Sequence, residues 1–245
     1  MDQFNIDFAS HWDELVDWEK RSAADTFFLL NLIQKFDCRS VLDVALGTGF
    51  HSIKLLDSGL KVKSVDISIA MIEVAKKNAA QRYVELDVIA ADWVDLDKHI
   101  SEKFDCIICL GNSLACEMDA EKRQQAVRIW SELLNEGGIV IVDRRNYEAV
   151  LSGEYNISSK GQYFGENVKI TPKKVAANET LFSYTFSDGR TFDLKMFPIL
   201  GHELNSIFMN AGLEAVETFG DRVLSYTGKD VGFYYHVFRK RESND

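Results

Sequence analysis

From residue 40 to residue 143, short runs rich in Val and Ile alternate with longer stretches of helical periodicity, and that alternation excludes most folds. The runs SVLDVA, KVKSVD, YVELDVIAA, FDCIICL and GIVIVD read as strands, while the segment near 49–57, IAMIEVAKKNAA and DAEKRQQAVRIWSELLN read as helices. Strands this apolar are covered on both faces, as in a parallel sheet between helices. Two helical patterns come first, FASHWDELVDWEKR and a second from Ala23 to about Phe36. Near the end, helix GHELNSIFMNAG, closed by Gly212, is followed by strands EAVETFG and GFYYHVFRK. The expected fold is α/β and Rossmann-like, with a mostly parallel seven-stranded sheet in one domain over 1–245 and N-terminal helices at about 7–36.

A different pattern occupies about 155–198. QYFGENVKI, KKVAANETLFSYTF and RTFDLKMF alternate polar and apolar residues and are joined by turn signals such as Asp188-Gly189, which predicts an antiparallel β-meander inserted as a small lid.

Composition narrows the partners. A formal net charge of -10, with only short basic runs at PKK and FRKRESND, argues against nucleic acid. No apolar stretch approaches the roughly 20 residues of a membrane span, and the acidic N-terminus lacks a secretory pattern, so a cytoplasmic protein away from membranes is expected. Cys38, Cys106, Cys109 and Cys116 make no disulfide framework. Cys106 and Cys109 form a C-x-x-C, but on a strand residues three apart face opposite sides, so no metal site is expected.

The chemistry is concentrated at VLDVALGTGF, residues 41–50, where a strand ends in Asp43 and a turn with Gly47 and Gly49 follows. A dinucleotide fingerprint would place a third glycine where Ser52 stands, and Asp43 would repel its phosphates. A cofactor carrying positive charge fits better, and S-adenosylmethionine has an ammonium, a sulfonium and no phosphate. Asp66, at the end of the second strand, can accept from both ribose hydroxyls. Asp92 can take the adenine amino group, and Trp93 beside it offers an apolar wall. The pattern is that of class I methyltransferases, with Ala45 in place of the first of three spaced glycines.

At this point the chain resembles the glycine and sarcosine N-methyltransferases, the microbial type more than the animal one. The likeness is carried in order by WDELVDWEKR, VLDVALGTGFHS, ADW, ICLGNS, DRRNY, MFP, FGD and YYHV. The resemblance implies that Arg21 holds the donor's carboxylate, that Trp12 and Ala45 line its methionine end, and that Asp66, Asp92, Trp93 and Leu110 hold the nucleoside. It further implies that Asn112, Arg145 and Tyr163 handle a small amino acid, glycine or sarcosine, in a step towards betaine. The chain departs from the family at Gln3 and Phe4, where animal members place a tyrosine, and at Leu114 and Cys116.

The residues support an amino-acid acceptor on their own account, since an arginine fork pairs a carboxylate in two places. Arg144 is the alternative clamp, and either arginine can serve instead as a structural ion pair. Asn112 can orient the amine or simply form a turn. No histidine stands out as a base: His51 lies near the glycine turn and His236 in a strand, where surface or core roles compete. Aromatics including Tyr184 can close the cavity or belong to the core. Three rival functions remain open: methylation of another small amine, donor binding without catalysis, and a nicotinamide oxidoreductase. The sequence leaves the oligomeric state open, a homo-oligomer included.

Overall fold

A computed structural model describes residues 3–154, 167–224 and 231–241. Helices α1 (Ile6–Val16) and α2 (Trp18–Lys35) open the chain. The core then runs β1 (Ser40–Asp43), α3 (Phe50–Asp57), β2 (Lys61–Asp66), α4 (Ile69–Gln81), β3 (Asp87–Ala90), β4 (Phe104–Cys109), α5 (Ala120–Leu133) and β5 (Leu134–Arg145). Short 3₁₀ turns at Trp93–Lys98 and Ser113–Cys116 follow the ends of β3 and β4. After α6 (Tyr147–Leu151) come β6 (Lys169–Ala176), β7 (Glu179–Thr185) and β8 (Thr191–Met196), then α7 (Gly201–Asn210), β9 (Leu213–Gly220), β10 (Val223–Leu224) and β11 (Phe233–Lys240).

The main sheet has the order β10-β9-β11-β5-β4-β1-β2-β3. From β5 to β3 every pairing is parallel, and β11 is antiparallel to both β5 and β9. The seven expected strands are all present. The eighth, β10, is a two-residue edge strand paired with β9. Alternate residues of each central strand feed opposite cores: Leu42, Ile107, Cys109, Val140 and Val142 pack on one face, and Val41, Cys106, Ile108, Ile139 and Ile141 on the other with α2. Cys106 and Cys109 thus face away from each other. Strand order reverses between β1 and β4, and at this switch point an open α/β sheet leaves a crevice beyond its carboxyl ends.

The expected strand GIVIVD is extended at both ends in β5, and the expected lid segment KKVAANETLFSYTF divides between the end of β6 and β7. Two further boundaries differ for local reasons. The first helix pair breaks at Asp17, which adopts a left-handed conformation (φ 49°), so α2 begins at Trp18. A short polar side chain tolerates that conformation, and the Trp18 indole donates to Asp13 across the break at 2.8 Å. The third strand begins only at Asp87, because Tyr83 is also left-handed (φ 57°) and prolongs the turn out of α4.

Strands β6, β7 and β8 form the separate antiparallel lid, with Gly189 at φ 84° in the β7–β8 turn. Its apolar face, with Phe182, Tyr184, Phe186, Leu194 and Met196, belongs to the same buried cluster as the sheet. Helix α1 packs on the same face and grips the β7–β8 turn. Phe8 packs edge-on to Tyr184 and Phe186, Glu14 accepts from the Ser187 amide at 2.9 Å, and His11 meets Asp188 at 3.0 Å. Gln3 completes the fastening by bonding both backbone groups of Lys195 on β8. No helix of the described residues is long and apolar enough to cross a membrane.

Candidate active site

Beyond the carboxyl ends of the parallel strands lies a cavity of about 450 Å³, within the roughly 300–1,000 Å³ typical of small-molecule sites. Of the residues singled out in the sequence, Trp12, Arg21, Ala45, Gly47, Asp66, Asp92, Trp93, Leu110, Asn112 and Arg145 all line it. Strand order sets their sequence along the sheet edge: Arg145 at the end of β5, Asn112 after β4, the glycine turn after β1, Asp66 at the end of β2 and Asp92 after β3.

Asp43 and Gly49 do not line the cavity. Asp43 lies beneath the turn and is fully enclosed, accepting from the Ala45 amide at 3.1 Å and from Ser52 Oγ at 2.7 Å. Ser64 Oγ in turn donates to Ser52 at 2.9 Å. Burial pushes the Asp43 carboxyl up to about 6, against the opposing pull of those two hydrogen bonds. Ser52, where a dinucleotide site would have glycine, therefore braces the turn. Gly49 sits at φ 93°, and a Cβ there would stand 3.1 Å from Ile53 Cδ1 and 3.2 Å from Ala75 Cβ, so the bare backbone lets α3 and α4 close on each other. Tyr163 lies outside the described residues.

Asp66 reaches the cavity with its carboxylate oriented by two amides, Gly47 N at 2.8 Å and Ser68 N at 2.9 Å. Each oxygen takes one backbone donor, which leaves acceptor capacity for a ligand's hydroxyls. Asp92 caps the 3₁₀ turn through the Val94 amide at 3.3 Å. The Trp93 indole donates to the Val44 carbonyl at 2.5 Å and stands edge-on to Trp130, so its ring is fixed as a wall. Arg21 is paired with Asp25 and lies over the Phe50 ring at 5.2 Å, and Arg222 pairs with the same Asp25.

The β4–β5 end is built differently. Asp143, two residues beyond the position on β5 that lies level with Asp43, accepts from Gly111 N at 3.0 Å and Asn112 N at 2.7 Å and so holds Asn112 in a left-handed turn (φ 61°). Asn112 Oδ1 accepts from the Arg145 amide at 3.0 Å, and its Nδ2 donates to Tyr147 OH at 2.8 Å. The buried Arg145 guanidinium lies 5.0 Å from the Phe182 ring and 4.9 Å from that of Phe233, and it hydrogen-bonds Tyr184. Arg144 points to the opposite face. It pairs with Glu148 at 2.6 Å, donates to His236 at 3.2 Å and is the structural ion pair of the two.

His236 is a core residue: burial, with Arg144 beside it, pushes its pKa down to about 3. His51 does line the cavity, but burial and then Arg21 hold its pKa well below the ordinary value, so the ring is neutral and a poor proton acceptor. Gln3, Phe4 and Cys116 also line it, whereas Leu114 is core. Burial raises the Cys116 thiol to about 12 and keeps it protonated. Tyr147, Met196 and Asp143 were not singled out in the sequence. Asp143 carries the same signal as Asp43, an acid ending an apolar strand; the other two stand in DRRNY and MFP, which carry the family likeness without marking either residue. Among the described residues no cluster of His, Cys, Asp or Glu is arranged to hold a metal.

A family model described as a methyltransferase domain matches residues 41–138. The chain is 35% identical to the glycine/sarcosine N-methyltransferase of Aphanothece halophytica, over 95% of this chain and 88% of that protein. It is 38% identical to the glycine/sarcosine N-methyltransferase of Parasynechococcus marenigrum (strain WH8102), over 96% of this chain and 83% of that one. The chain belongs to the glycine/sarcosine N-methyltransferase family. Its fold is that of the class I S-adenosylmethionine-dependent methyltransferases: it matches the crystal structure of one such enzyme from Clostridium acetobutylicum ATCC 824 with a TM-score of 0.75, covering 96% of this chain and 98% of that chain at 19% identity. For this N-methyltransferase family member, the cavity at the switch point is the candidate active site.

Proposed function

We propose that this chain transfers a methyl group from S-adenosylmethionine to the nitrogen of glycine and of sarcosine, giving sarcosine and dimethylglycine. The observation that carries the reading is the meeting of Arg145 and Asn112, joined by a 3.0 Å hydrogen bond, at one end of a cavity whose other end carries Asp66 and Asp92. S-adenosylmethionine supplies a methyl group on a positively charged sulfur. Asp66 accepts from the donor's ribose hydroxyls, Asp92 and Trp93 hold the adenine, and Arg21 pairs with the donor's carboxylate. Trp12, Ala45 and Leu110 enclose the rest.

On the acceptor side, Arg145 clamps the amino acid's carboxylate, its guanidinium already oriented by Phe182, Phe233 and Tyr184. Asn112 Oδ1 has one lone pair beyond the Arg145 amide, and it accepts from the amine N–H so that the nitrogen lone pair faces the methyl carbon. The C–N bond forms as the C–S bond breaks, and the pair of electrons stays on sulfur. Positioning then supplies most of the catalysis, and no metal takes part. Tyr163 is proposed as an aromatic approaching the acceptor from the lid.

The amine has to be neutral to attack, and neither cavity histidine chemistry nor Cys116 supplies a base of suitable pKa. Activity is therefore expected to rise from neutral to alkaline pH, and a flat profile would contradict the reading. The direct test is incubation with methyl-labelled S-adenosylmethionine and, separately, glycine, sarcosine and dimethylglycine. Label in sarcosine and dimethylglycine supports the assignment. Donor binding without transfer to either glycine or sarcosine points to another small amine or to a non-catalytic role.

A further inference from the structure

We infer that Tyr147 and Met196 are positioning residues that hold the Asn112 amide with its oxygen turned to the acceptor amine. The inference rests on the function proposed above. Asn112, Tyr147 and Met196 come from three different elements, and all three are buried. Both hydrogens of the Asn112 amide nitrogen have partners, Tyr147 OH at 2.8 Å and Met196 Sδ at 3.1 Å. Tyr147 OH itself donates to Met196 Sδ at 3.7 Å, so the thioether is the terminal acceptor of the cluster. On the other side, the Arg145 amide can only donate, and it faces Oδ1 at 3.0 Å. A reversed amide would bring an NH₂ group against that N–H, and the hydroxyl and thioether would lose the donor they now receive.

Asn112 is therefore an acceptor only, with one oxygen lone pair to spare. That has an unequal consequence for the two acceptors. Neutral glycine has two N–H bonds, and either can meet Oδ1 while the lone pair points at the methyl carbon. Neutral sarcosine has one, so only one orientation satisfies Oδ1, and loosening the amide costs sarcosine more. The roles are chemically specific: Tyr147 contributes a hydroxyl as acceptor, and Met196 a sulfur at a position where an aliphatic chain would fill the same space.

The test compares the wild type with Tyr147→Phe and Met196→Leu, both near in volume to the residue replaced. Each variant is expected to lower kcat for glycine by roughly 3- to 10-fold, the range of one neutral hydrogen bond. The fall with sarcosine should be at least twice as large. The Kd for S-adenosylmethionine, measured by calorimetry, should not move. Equal falls on both acceptors, or a weakened donor Kd in parallel, would mean a merely structural contribution and overturn the proposal. If Tyr147→Phe does not fold, the ratio in Met196→Leu decides alone. Absence of wild-type transfer to both acceptors would overturn the functional reading and this one with it, whereas normal wild-type transfer with unchanged acceptor ratios would overturn only this one.

Discussion

The two ends of the cavity are held by opposite means. At the end proposed for the donor, Asp66 accepts from the amide of Ser68 and Asp92 from that of Val94, and Asp43, beneath the cavity, accepts from that of Ala45, each two residues on. These are turns that an aspartate makes with its own backbone. At the end proposed for the acceptor, the bonds that fix the Asn112 side chain are all long-range. Asn112 is joined to Arg145, Tyr147 and Met196 across separations of 33, 35 and 84 residues, and Arg145 is flanked by Phe182 and Phe233 from a lid strand and a distant core strand. The first set of contacts includes bonds local to single strand ends, whereas the second draws together residues that follow β4, end β5, open α6 and lie on the lid.

If that division is real, substitutions at the two ends should separate cleanly. The largest effect is expected at Arg145, whose truncation removes the carboxylate clamp: Arg145→Ala should lower kcat/KM for glycine by roughly 10²- to 10³-fold while leaving the Kd for S-adenosylmethionine unchanged. Steady-state kinetics with calorimetry checks this, and a parallel loss of donor affinity would break the comparison. At the other end, Asp66→Asn removes charge-assisted bonds to the ribose and should weaken the donor Kd by roughly 10- to 100-fold. At saturating donor its kcat should stay near that of the wild type. A collapse of kcat instead would show that Asp66 reaches the acceptor end.

The same division explains what could be seen from the sequence. The sheet, its seven principal strands and the β7–β8 hairpin at Asp188-Gly189 were legible because periodicity and turn chemistry are local, whereas the β6–β7 turn was not, because the alternating pattern runs on from Lys173 to Phe186 without a glycine or proline between. Also legible were Asp66, Asp92 and Gly47, which sit where a strand ends. Asp43 was legible as part of the glycine turn but not as its buried brace, because the deciding contact is the Ser52 hydroxyl on the next helix. Arg145 and Arg144 could not be told apart by composition; the strand's alternation separates them only when one knows which face meets the lid and which meets Glu148 and His236. Tyr147 and Met196 stand in the motifs DRRNY and MFP, but no role for either was legible, since a buried tyrosine and methionine look like core until Asn112 is seen between them. The break at Asp17 was missed because a single left-handed residue leaves the apolar pattern on either side intact.

The smallest effect concerns the clasp that joins the ends, where α1 grips the lid turn through His11 and Asp188. The His11 ring bonds the Asp7 carbonyl at 2.6 Å and the Asp188 carboxylate at 3.0 Å. Those partners, the carbonyl foremost, raise its pKa above the ordinary 6.5. A raised pKa means that the protonated ring stabilises the closed form fully below 6.5 and that the stabilisation is lost as pH rises through the higher folded value. Asp188 runs the other way: its carboxyl is lowered by the Arg190 amide and by His11, so its contribution is present above about 3.8 and lost as pH falls through the lower folded value. The clasp is strongest between those limits. Both groups are partly exposed, so the effect is small. Dissociation of S-adenosylmethionine, followed by stopped flow, should quicken by roughly twofold from pH 6 to pH 8 in the wild type. In His11→Gln that increment should vanish. If it persists, the lid is not released through α1, and the two ends of the cavity open by a route that this ion pair does not control.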